Sequence, residues 1–189
     1  MKLTSHVARR TIGMIAIASA AVLIPAVALA ASGSAQAPQS AATGRCLTAQ
    51  LRDWIGIPGD GTAGSTYYQL EISNVSRSTC TLYGYPGVSA VAGNTQLGSA
   101  ARRDPSHRDT LVTLVPGGTS HVILQITDVG VFSPAACKPV QAFSLRVYAP
   151  GAYASLRVPL TFEACARRGP VYLDVSATIA GTGIPGYSH

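Results

Sequence analysis

The stretch RRDPSHRDT at 102–110 sets Asp104, Ser106, His107 and Asp109 close together. These are the residue types of nucleophilic acyl transfer, which needs a serine, a base, and an acid that orients the base, all meeting at one point. Neighbours on one polar loop rarely meet that way, and no G-x-S-x-G turn occurs in the chain. His107 is therefore expected to be solvent-exposed and dispensable. His121 opens a strand pattern on its outer face and is expected to be exposed, and His189 is terminal. Glycoside hydrolysis would use two converging carboxylates. Glu71 is expected to look outward from a strand, Glu163 stands just before Cys165, and no spacing pairs either with Asp60, Asp104, Asp109, Asp128 or Asp174. The motifs GDGTAG (59–64) and GTGIPG (181–186) match a dinucleotide fingerprint, but neither leads into a helix pattern, as phosphate binding requires. Both are glycine loops. GDGTAG also lacks the oxygen ligands of a calcium loop. No catalytic residue, metal or cofactor is assigned.

Cys46, Cys80, Cys137 and Cys165 are spaced too widely for zinc ligation, which favours close pairs. An even count in an exported chain points to disulfides with three possible pairings. The pairing of sequence neighbours, Cys46–Cys80 with Cys137–Cys165, is the one expected. Tyrosine dominates the aromatics, with 8 Tyr against 3 Phe and 1 Trp. Tyr83, Tyr85, Tyr148 and Tyr153 stand at or beside turn signals, where tyrosine offers contact area at small entropic cost. They are the candidate binding residues, and the competing reading is that they cap the ends of the fold. Asn74-Val75-Ser76 fits a glycosylation sequon, but a turn cap at a strand end is the better reading.

The elements that must position these residues begin after a leader. Lys2, Arg9 and Arg10 precede a charge-free apolar run ending in Ala28-Leu29-Ala30, the pattern of a secretory signal peptide over 1–30. An uncleaved anchor is the rival, since the run approaches the length that spans a bilayer; Arg9-Arg10 matches twin-arginine export poorly. Residues 31–45 are small, polar and unpatterned, a flexible linker. With the three leader cations removed from 14 Lys+Arg, against 8 Asp+Glu, the net charge falls from +6 to about +3. The remaining cations are dispersed, without the basic stripe of a nucleic-acid binder. Nucleic acid is excluded as a partner; a cell-wall component or another secreted protein fits better.

From Cys46 to the end at 189 the hydrophobic period is two, which marks half-buried strands. Tyr68, Leu70 and Ile72 share one face, as do Val122, Leu124 and Ile126; Phe143, Leu145 and Val147; Leu156, Val158 and Leu160; and Val171, Leu173, Val175, Ala177 and Ile179. In STCTLYGYPG, Cys80 and Leu82 face inward and GYPG reverses the chain. IPGDG, AGN, VPGG, YAPG and RRGP punctuate the rest. Pro159 marks an edge strand or a bulge, and SPAACKP has room for one helical turn. Eight to ten short antiparallel strands make an all-β domain over 46–189, a sandwich or a barrel.

Cys46-Leu47, YYQLEISNVSRSTCTLYGYPGVSAV, QLG and VTLVPGGTSHVIL together resemble a secreted actinobacterial family, the domain of unknown function numbered 4232. The resemblance is close over about the first two thirds of the domain. It implies an exported, disulfide-bonded, immunoglobulin-like β-sandwich, often held at the cell envelope, and carries no catalytic residues. A non-enzymatic binding module follows as the expected function. A secreted hydrolase with a site assembled from dispersed residues, or a structural envelope component, are the alternatives.

Overall fold

A computed structural model describes residues 43–62 and 64–184, which belong to one compact unit. Its strands are β1 (Leu51–Thr62), β2 (Ser65–Asn74), β3 (Cys80–Tyr83), β4 (Gly87–Ala92), β5 (Thr95–Leu97), β6 (Arg102–Asp104), β7 (Leu111–Leu114), β8 (Thr119–Thr127), β9 (Pro139–Tyr148), β10 (Leu156–Cys165), β11 (Leu173–Ser176) and β12 (Ile179–Ala180). The single helical turn expected in SPAACKP is α1 (Pro134–Cys137), capped by the Ser133 hydroxyl, which accepts from the Ala136 N–H. One sheet has the order β1-β2-β8-β11-β6, with β12 also on β8. The second is β10-β9-β4-β5, and β3 pairs with β7 as a separate ribbon. All pairs of named strands are antiparallel except β11 with β6. The architecture is the expected all-β sandwich type, with more and shorter strands than the sequence pattern resolves.

Alternation packs the two large sheets face to face. Leu70, Val122, Leu124, Leu145, Val147, Val158 and Leu173 form the main core, each at most 1% exposed. Each such side chain contributes about 1.5–3 kcal/mol by leaving water. A second core gathers Leu51, Ile72, Leu82, Val112 and Leu114 around Cys46–Cys80. The other disulfide is Cys137–Cys165, so both expected pairings are present. They close loops of 34 and 28 residues, each adding about 3–4 kcal/mol by restricting the unfolded chain. Cys80 and Leu82 do face inward. GYPG then hands the chain from the β3–β7 ribbon to the second sheet rather than folding it back on β3.

Three local expectations change and two hold. IPGDG is not a turn: β1 runs through it, with register shifts on either side of Pro58. Pro159 does lie on the edge strand β10 at the start of a bulge, where Leu160 and Thr161 stand opposite Phe143 alone. The bulge shifts the phase of β9, so Ala142 points in and Phe143 turns out, 59% exposed. In β11, flanked by β8 and β6, every residue is buried, and Tyr172 before it is buried too. A strand covered on both faces does not alternate. Asn74 is fully buried: its Nδ2 donates to the carbonyls of Ser78 and Leu114, and its Oδ1 accepts from the Ser76 N–H and Oγ. It is the turn cap that was expected, with its amide nitrogen already engaged.

Candidate functional site

Residues 44–46 run beside β3: the Cys46 N–H donates to the Thr81 carbonyl (2.9 Å), and the Thr81 N–H donates to Gly44 (3.0 Å). This places Arg45 on the outer side of the ribbon, where its Nη1 donates to the Gly151 carbonyl at 2.9 Å. Gly151 has φ +69°, a conformation that favours glycine, and a Cβ there would come within 2.6 Å of the same nitrogen and displace it from this approach. Arg45 and Gly151 form a wall shared by two open clefts. One, about 570 Å³, lies between residues 45–49 and 151–154; the other, about 320 Å³, is bounded by Thr81, Tyr83, Leu111 and Pro150. Around them stand Leu47 (66% exposed), Tyr83 (60%), Leu111 (66%) and Tyr153 (99%).

Two of the four candidate tyrosines thus meet on one surface. Tyr85 does not join them. The Arg103 guanidinium lies 5.5 Å from the centre of its ring. Desolvation first, then Asp109 and Asp104, raise its hydroxyl's pKa, and Arg103 works against them. Tyr148 pairs with Gly87 in the second sheet and lies half-buried against it.

The loop after β6 does bring Asp104, Ser106 and His107 together, in the wrong order for acyl transfer. Ser106 is in the middle: its Oγ donates to Asp104 Oδ2 (2.9 Å) and lies 3.0 Å from His107 Nδ1. A catalytic base must sit between serine and acid. The Ser106 N–H also donates to Asp104 Oδ1, which makes this an Asx turn. These two bonds, backbone first, hold the Asp104 carboxyl below its ordinary range. His107 is partly buried rather than fully exposed, because Ser106 holds its ring.

Glu71 and His121 were both expected to face solvent. Trp54, Glu71 and His121 occupy one register row across β1, β2 and β8 on the outer face of the first sheet. Residues 181–184 leave β12 and cross that row as a strap. His121 Nδ1 lies 2.9 Å from the Gly181 carbonyl, the Gly183 N–H donates to Glu71 Oε1 (2.9 Å), and Ile184 approaches Gly56 of β1. Beneath it Glu71 is 0% exposed and His121 half-buried. Glu71 Oε2 and Gln69 Oε1 are buried with no hydrogen-bond partner among the described residues. Desolvation raises the Glu71 pKa, opposed by the Gly183 bond and by His121. GTGIPG is therefore neither a phosphate cradle nor a bare glycine loop, since its first four residues cover a carboxylate.

One register step away, Asp53 points to the other side, into the sandwich between Leu51 and Ile55. It is 8% exposed, neither oxygen has a partner among the described residues, and burial pushes its pKa up to about 7. Asp128 and Glu163, unpaired by any spacing, line one open cleft of about 570 Å³ with Tyr68 and Phe162. Among the described residues no group of three or more His, Cys, Asp or Glu is placed to hold a metal ion.

Sequence reasoning missed Arg45, Asp53 and the Trp54–Glu71–His121 row. Arg45 carried one signal, its place beside a cysteine that anchors the chain. The row required strand register, which alternation within each strand does not supply. Residues 46–180 match the family model described as Domain of unknown function (DUF4232). Comparison with curated proteins found no match.

Proposed function

The chain belongs to the DUF4232 family, and we propose that it is an exported, envelope-associated, non-enzymatic binding module whose contact surface is the tyrosine end around Arg45. The single observation that carries this is the collection of Leu47, Tyr83, Leu111 and Tyr153, each at least 60% exposed, about two clefts with one shared wall. Scattered apolar side chains need no explanation, but a set gathered about two clefts that share an arginine wall, with tyrosine on each, has the make-up of a recognition surface. Export is supported by the leader pattern and by two disulfides, which persist in oxidising surroundings. The immunoglobulin-like description fits two packed sheets that are antiparallel except at β11–β6. The expected partners are a cell-wall component or another secreted protein. The test is co-sedimentation of the mature chain with purified cell-wall material and chromatography over immobilised secreted proteins. The double variant Tyr83→Ala/Tyr153→Ala should bind at least tenfold more weakly than wild type; equal retention would sink the assignment.

A second reading, a secreted hydrolase, is favoured by Asp128 and Glu163 lining one cleft. It requires that Glu163→Gln abolish a hydrolytic activity that the tyrosine variant retains.

A further inference from the structure

The strap covers a surface that the rest of the domain completes without it. The residues that build this face, from Gly56 to His121, lie inside the family match, which ends at 180, whereas the strap is residues 181–184. The strap also runs across the strands, not along them. Gly181 sits over β8, Gly183 over β2 and Ile184 over β1, so each sheet strand reads one strap residue. Two of these contacts read peptide backbone: His121 takes a carbonyl and Glu71 takes an N–H. The other two read side chains. A Cβ on Gly183 would come within 2.5 Å of Gln69 Oε1 and would have to push the Gln69 side chain aside, so the central seat favours glycine. The seat on Gly56 takes the aliphatic Ile184, whose carbons lie 3.2–3.3 Å from where a Gly56 Cβ would stand.

The fit of this occupant is incomplete. Among the described residues Glu71 Oε2 and Gln69 Oε1 are acceptors buried without a donor, an arrangement that costs more than a bond left in water. A segment that follows the same path and brings one more donor would satisfy what the strap leaves unpaired.

We infer that the outer face of β1, β2 and β8 is a segment-binding site, filled in cis by residues 181–184. Its trans ligand is an extended segment of a partner protein with glycine at the centre, an aliphatic residue next to it and a donor for the Glu71–Gln69 pair. The site is separate from the tyrosine end, and neither assignment depends on the other. A short tether holds its ligand at an effective concentration on the order of millimolar. A strap that stays closed therefore implies a free-peptide Kd below about 1 mM.

Trp54, the only tryptophan of the chain, stands in the register row of Glu71 and two residues from Gly56, so its fluorescence reports occupancy. The experiment uses the full mature chain with Gly183→Val, whose strap can seat only by displacing Gln69, and the probe is an amidated hexapeptide Ile-Ala-Gly-Thr-Gly-Ile. Trp54 emission should shift to the red in the variant and return on adding peptide, with a Kd below about 1 mM. A peptide with valine at the fifth position should bind at least tenfold more weakly, and so should the wild-type chain, whose face is filled. Adding Glu71→Gln to the variant should weaken binding about fivefold, while Tyr83→Ala/Tyr153→Ala should leave it unchanged. If Gly183→Val does not fold, Ile184→Asp lifts the strap without introducing a clash. No response at about 5 mM peptide, or equal binding of the glycine and valine peptides, overturns the site. Wild-type dimers that form with concentration and vanish with Gly183→Val would assign the occupant to a second copy and overturn the partner assignment.

Discussion

Two regions of this molecule concentrate ionisable side chains, and they solve the problem of charge in opposite ways. The loop at 104–109 keeps Asp104, Asp109, Arg108 and His107 at the surface, and Asp104 is paid in full by the N–H and hydroxyl of Ser106. The β1–β2 ladder places Asp53 and Glu71 on neighbouring register rows facing opposite sides, and both leave water. The loop looks like an active site in sequence and is a closed turn in space. The ladder looks like two unremarkable acids in sequence and holds the carboxylates whose pKa is raised. What separates the regions is supply of donors. A carboxylate with partners stays ionised at little cost, whereas one without them takes up a proton or strains the fold.

The largest effect should come from Asp53. Its folded pKa of about 7 lies above the ordinary 3.8, so the folded state holds the proton more tightly than the unfolded chain. Stability is then greatest below about pH 4 and declines as pH rises through about 7. The interval corresponds to about 4 kcal/mol. Asp53→Asn keeps the shape without the ionisable proton. It should match wild type near pH 4 and exceed it by a few kcal/mol at pH 8 in urea denaturation, on the order set by that interval. A wild-type stability that does not fall between pH 4 and 8, or that falls equally in Asp53→Asn, would show that burial does not raise the Asp53 pKa.

Glu71 should show the same sign with a smaller size, because the Gly183 N–H and His121 offset its desolvation while Asp53 has no such relief. Its folded pKa is raised, so its contribution too is present in acid and lost as pH rises above the unfolded value of 4.5. Glu71→Gln should flatten this part of the pH profile and change stability at pH 7 by about 1 kcal/mol. The measurement is the difference between wild-type and variant unfolding free energies from pH 4 to 8. A loss of several kcal/mol at every pH would show that the ionised carboxylate is a net support of the strap.

Much of this fold is legible along the chain because it depends on local pattern. Alternation in β2 and β8 puts Leu70 and Val122 inside, turn residues close the hairpins, and the disulfides follow from cysteines that neighbour each other in sequence. What escapes is what depends on a second segment arriving from far away. Glu71 sits at an outward position, as alternation requires, and is buried only because residue 183 reaches it across 112 positions. Phe143 is turned out by two residues of another strand. Tyr83 and Tyr153 border clefts that share a wall because Arg45 reaches Gly151, a contact no strand pattern contains. Periodicity tells which side of a sheet a residue occupies, and cannot tell whether that side is covered.

His107 should give the smallest effect, and it sharpens the comparison from the loop side. The ring's single hydrogen bond among the described residues is with Ser106 Oγ, which is already committed to Asp104. Removing the imidazole leaves the Asx turn intact, since the bonds that form it run between Asp104 and Ser106. It opens no cavity in either core, because His107 belongs to neither hydrophobic cluster. His107→Ala should therefore shift stability by less than about 0.5 kcal/mol, as surface substitutions do, and leave retention at the tyrosine end unchanged. Thermal unfolding and the cell-wall binding assay on the same preparation measure both. If the variant instead lost a hydrolytic activity while keeping its fold, the loop would be a site and the binding-module assignment would give way to the hydrolase.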